Sequence, residues 1–79
     1  MKITYDTNTD ILRIRLNDRK IDESNELLAG VIVDVDTKGQ AVGFEILDAS
    51  KRMANPMAVE LDIVGVSKTA KRARKKMAV

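Results

Sequence analysis

The chain contains no cysteine and no histidine, a single proline, and only two aromatic residues, Tyr5 and Phe44. Without cysteine no disulfide braces the fold. Without thiolate or imidazole, any metal would have to be held by oxygen ligands. Ser24, Ser50 and Ser67 have no histidine to activate them, and no glycine-rich phosphate loop occurs, so nucleophilic catalysis has no footing. No apolar run is long enough for a transmembrane helix, and the N-terminus shows no signal pattern. A soluble cytoplasmic protein without membrane contact is the expectation. With so few aromatics the core has to be aliphatic. In 79 residues such a core is marginal, and self-association is a common remedy.

Charge is divided along the chain. The formal net charge is +2, yet all 12 acidic residues lie within positions 1–66. Residues 67–79 hold Lys68, Lys71, Arg72, Arg74, Lys75 and Lys76 and no acid. We read 1–66 as one β-rich domain and 67–79 as a basic tail with the pattern of an amphipathic helix. Six cations without an acid favour an acidic partner or a polyanion. The tail lacks aromatics on which bases could stack, so contact with nucleic acid would be made mostly to phosphates.

Two β-branched runs flank Asp36-Thr37-Lys38-Gly39. Asp suits the first position of a type I turn, and Gly at the fourth takes the left-handed conformation of a bulge. If Asp36 and Gln40 close this turn, Asp34 faces Val42, Val33 faces Gly43 and Ile32 faces Phe44. One face would then carry Val31, Val33, Val35 and Ala41, and the other Ile32, Val42, Phe44 and Ile46. Such a hairpin is apolar on both sides and belongs at the centre of the fold. Upstream, Lys2-Ile3-Thr4-Tyr5-Asp6 and Ile11-Leu12-Arg13-Ile14-Arg15-Leu16 alternate around a turn-forming Thr7-Asn8-Thr9-Asp10, which predicts a second hairpin. Residues 17–28 are polar and acidic and read as a surface connection, with Ile21 and Leu27 anchoring its ends. Residues 48–54 predict a short helix capped by Asp48 and stopped by Asn55-Pro56. Between 58 and 64 the alternation of Val59, Leu61 and Ile63 with Glu60 and Asp62 favours a fifth strand; a helix capped by Asn55 is the competing reading.

Candidate chemistry is sparse. Asp34, Asp36, Gly39 and Glu45 fall at the spacing of a calcium loop, but Lys38 occupies a ligand position and the flanks alternate as strands. In the expected register Asp34 and Glu45 leave opposite faces. The pairs Asp6 with Asp10 and Asp34 with Glu45 are better placed to bond backbone amides than to share acid–base work. Arg13 and Arg15, near Lys2, form a cationic row able to grip phosphates or carboxylates.

Three pieces occur in one order: Ile3-Thr4-Tyr5-Asp6, then Asp10-Ile11-Leu12-Arg13-Ile14-Arg15-Leu16, then Val42-Gly43-Phe44-Glu45-Ile46-Leu47-Asp48-Ala49-Ser50. Over roughly residues 1–53 the chain resembles the small prokaryotic family catalogued as domain of unknown function 2283. The resemblance implies a compact β-rich module with no established activity and brings no catalytic residues. Some relatives look like the antitoxin half of a toxin–antitoxin pair.

The expected fold is therefore α+β. It has a four-stranded antiparallel meander with the option of a fifth strand, one short helix and the basic C-terminal segment. The expected function is that of a non-catalytic, cofactor-free, homodimeric module that binds a protein partner, an antitoxin-like role being one case. The runner-up is a nucleic-acid-binding protein acting through its tail, and a metal-dependent enzyme comes third.

Overall fold

Alternation in the sequence becomes strand pairing in the computed structural model, which describes residues 1–65. Five strands form one antiparallel sheet: β1 (Lys2–Asp6), β2 (Ile11–Arg15), β3 (Glu23–Leu28), β4 (Val31–Val35) and β5 (Ala41–Leu47). A single short helix, α1 (Ala49–Arg52), follows β5. The described chain is thus predominantly β, with a minor helix. The basic tail at 67–79 lies outside the described residues.

Both predicted hairpins form. In the first turn the Asp6 carboxylate accepts the Asn8 amide at 2.9 Å, and Asp10 turns into the left-handed region at φ 58°. In the central turn the Asp36 amide donates to the Gln40 carbonyl at 2.9 Å. Gly39 has φ 77°, as the sequence required.

Strand order departs from a simple meander. The sheet runs β1-β2-β5-β4-β3, so β2 lies beside β5 and not beside its successor. Residues 17–28 are not merely a connection, because their second half is β3, paired along the outer edge of β4. Polarity hid this strand: it is an edge, and all six of its residues are exposed. Residues 58–64 form no strand. Their alternation is not taken up by either edge strand, β1 or β3.

A β-bulge in β5 changes the expected register. Val35 pairs with Ala41, but Asp34 pairs with Gly43 and Val33 with Phe44, so Val42 is the extra residue. The slip re-sorts the hairpin's faces. Ile3, Ile14, Phe44 and Val33 fall in one cross-strand row, and Tyr5, Leu12, Ile46 and Val31 in the next. Thr4, Arg13, Glu45, Ile32 and Glu26 form a row on the opposite side. The sheet therefore has one apolar and one charged face, not the two apolar faces predicted.

Gly43 is dictated by the bulge's neighbourhood, since a Cβ there would lie 2.5 Å from the Ile14 carbonyl oxygen. Burial is shallow in this one-layer sheet. Val42 and Ala49 are fully buried, and Leu12 and Val35 nearly so.

Candidate functional site

The apolar face is the largest unfinished feature of the sheet. In its two rows only Leu12 is buried. Ile14, Val31, Val33, Phe44 and Ile46 stay partly open although they are flanked by other strands. At the margin of this face Ile3 is 37% exposed. After α1 the chain turns back toward the β1 side. Pro56, Met57 and Val59 there line, with Ile3, Tyr5 and Leu12, a hollow of about 570 Å³. Beyond it the described residues contribute no cover: Leu61 is 72% exposed and Ile63 70%.

The end of the sheet is fixed by α1. Asp48 stands at the helix N-terminus, but its φ of 53° and the absence of a side-chain bond deny it the capping role expected. Asp10 takes that role from the first hairpin: its carboxylate accepts the Ser50 amide at 2.9 Å and the Ser50 hydroxyl at 2.7 Å. Tyr5 Oη donates to the same carboxylate at 2.7 Å. These bonds, led by that of the Ser50 hydroxyl, hold the Asp10 carboxyl below the usual aspartate range. At the other hairpin, Arg52 donates to the Ala29 carbonyl at 2.8 Å. One helical turn thereby ties together the turns of β1–β2 and β3–β4.

On the charged face the bulge places Asp34 and Glu45 together, correcting the expectation that they part. Asp34 is 4% exposed and accepts the Ser24 hydroxyl at 2.5 Å. Burial, followed by a hydrogen bond and charge repulsion from Asp34, pushes the Glu45 carboxyl up, against the pull of Arg13. Arg13 approaches Glu45 at 3.8 Å. Asp36 is committed to its turn. One oxygen accepts the Lys38 and Gln40 amides, each at 2.9 Å, and the other meets Arg19 at 2.9 Å. Its carboxyl is held low, by the Gln40 amide first. The calcium-loop spacing is therefore spent on a hairpin turn and a strand pair.

Arg13 and Arg15 do share a face with Lys2, as predicted, and the three line a hollow of about 550 Å³. Arg15 is partly used up in shaping the next loop, donating to the carbonyls of Asn17 at 2.9 Å and Arg19 at 2.6 Å. The six tail cations lie outside the described residues. Sequence reasoning missed the continuous apolar face, because one extra residue in β5 decides which side Phe44 and Ile46 take.

Among the described residues no helix is long and apolar enough to cross a membrane. The model of the family described as "Protein of unknown function (DUF2283)" matches residues 2–50. That span reaches from β1 to the Ser50 that closes on Asp10. No curated protein and no solved structure matches the chain.

Proposed function

The chain belongs to this DUF2283 family, and from that premise we propose that it is a non-catalytic protein-interaction module that works by burying its apolar sheet face against protein. The observation that carries this reading is the division of the sheet into a charged face and an apolar face that the described residues leave open. A sheet normally buries its apolar side against a second layer, and the described residues supply only fragments of one. An antitoxin-like role is one case of such a module, since an antitoxin holds its partner by contact and not by turnover. The non-catalytic reading is supported by the carboxylates' structural ties, Asp10 and Asp36 to backbone amides and Asp34 to Ser24.

The second reading, binding of nucleic acid through Lys68, Lys71, Arg72, Arg74, Lys75 and Lys76, is favoured by charge alone. Salt separates the two. A complex held by apolar burial survives rising ionic strength, whereas phosphate contacts release counterions and weaken steeply. The test is recovery of the full chain with its native partner at low salt, followed by a graded salt wash. Protein retained to high salt is the expected result. Nucleic acid that elutes early from a monomeric chain, with no protein retained, would favour the tail and overturn the first reading.

A further inference from the structure

We propose that the apolar face is covered by a second copy of this chain, with residues 58–64 of each copy reaching over the sheet of the other. This rests on the reading of that face as the protein-binding surface, and it names the partner.

Among the described residues, each copy carries one open face and one apolar arm whose outer part, Leu61 and Ile63, is not docked. In the arm, Val59, Leu61 and Ile63 alternate with Glu60 and Asp62, so an extended backbone puts the three aliphatics on one side and both acids on the other. Val59 only borders its own sheet, at 62% exposed, and Leu61 and Ile63, at 72% and 70%, are not taken by it. Pro56, Met57 and Val59 already border the face beside Ile3 and Tyr5, which starts the arm at its edge. Seven extended residues span roughly 23 Å, and five strands span roughly 19 Å from first to last. The arm is long enough to cross a partner's sheet.

Area leads to the same occupant. Five strands of about 17 Å give a flat face of roughly 400 Å². A stable interface hides roughly 800 Å² on each partner. The face alone falls short. The arm's exposed Val59, Leu61 and Ile63, which share one side, add roughly another 240 Å², at about 80 Å² for each aliphatic side chain buried. Face and arm together come to roughly 640 Å² on each partner, within the lower part of the standard range. The two central rows carry no charge from β1, β2, β4 or β5, so the aliphatic side of the partner's arm covers no charged group there. A two-fold axis pairs each arm with the other face and leaves neither over, closing the assembly at two copies.

The experiment is sedimentation of the full chain from micromolar to near-millimolar concentration, repeated with Leu61→Asp and Ile63→Asp combined. Both positions are exposed in the single chain, so the variant keeps its thermal unfolding at dilution. The intact chain is expected to be a dimer, and the variant to raise the dimer dissociation constant by roughly 100-fold. A photo-crosslinking residue at Leu61 in isotopically light protein, mixed with heavy protein, should give light–heavy adducts on β2 or β5. An intact chain that stays monomeric overturns the proposal, as does a dimer indifferent to the double substitution. If the intact chain is monomeric yet a different protein is retained in the salt series, the second copy is wrong and the protein-binding reading stands. If it is monomeric and no protein is retained, both fall.

Discussion

Asp10 and Ser50, forty positions apart, are joined by two hydrogen bonds, from the Ser50 amide at 2.9 Å and from its hydroxyl at 2.7 Å. The carbonyl of Asp10 also accepts the Ala49 amide at 3.0 Å. A turn residue of the first hairpin thus caps the helix that follows the central strand, and the contact joins the first turn to the last residue of the family-matched segment.

Ser50→Ala should lower the thermal midpoint by several degrees while leaving both hairpins formed. Asp10→Asn keeps a residue tolerant of positive φ but removes the charge. The Asp10 carboxyl is held below its ordinary value, so its contribution is present above the usual aspartate range and is lost as pH falls through the folded value. Urea unfolding across acidic pH should show the two proteins converging toward the acid end. A constant gap at every pH would mean that the charge plays no part.

Glu45 has the opposite sign. Its carboxyl is raised by burial and by Asp34, so the folded state holds the proton more tightly than the unfolded chain does. Stability from this site is present at or below the usual glutamate range and lost as pH rises through the raised value. Glu45→Gln should therefore stabilise the fold modestly at neutral pH and confer no advantage in acid. Destabilisation at neutral pH would mean that the bond to Arg13 outweighs the repulsion.

Gly43→Ala should destabilise the fold by about 1–3 kcal/mol, because its methyl group meets backbone and not a movable side chain. Val42→Asp should cost several kcal/mol, an unpaired charge at a fully buried position. Val33→Asp, on the partly open face, should disturb association more than folding. Chemical denaturation and sedimentation together separate the two effects.

Local chemistry made much of this fold legible. Asp36 and Gly39 announce their turn, and the alternation around Ile3 and Ile14 announces the first hairpin. Edge strand β3 was hidden because an exposed strand bears no alternating apolar mark, and its ladder is made by backbone groups. The bulge was hidden because Ala41-Val42-Gly43 reads equally well in either register. The partnership of β2 with β5 depends on side chains meeting across the sheet, Ile14 with Phe44 and Leu12 with Ile46. The candidate surface followed from that register, so it too became visible only with the strands in place.

Removing everything after Val66 should alter stability by about 1 kcal/mol or less. The same truncation should abolish any binding to duplex DNA. If all six cations met phosphates, log affinity would fall with log salt at a slope of roughly −5. Neutralising Arg72 and Lys75 should make that slope shallower by nearly 2, equally for unrelated duplexes, at about 0.9 for each contact. Truncated protein that binds DNA unchanged would move attention to Arg13 and Arg15.

Neighbouring residues of β2 offer the most direct test of the apolar face. Ile14 and Arg13 leave opposite sides of the sheet, so a photo-crosslinking residue at each position samples one face with the strand unchanged. Irradiation of the full chain under native conditions should give protein adducts from position 14 and few or none from position 13. Adducts from position 13 alone, or nucleic acid captured in place of protein, would contradict the account.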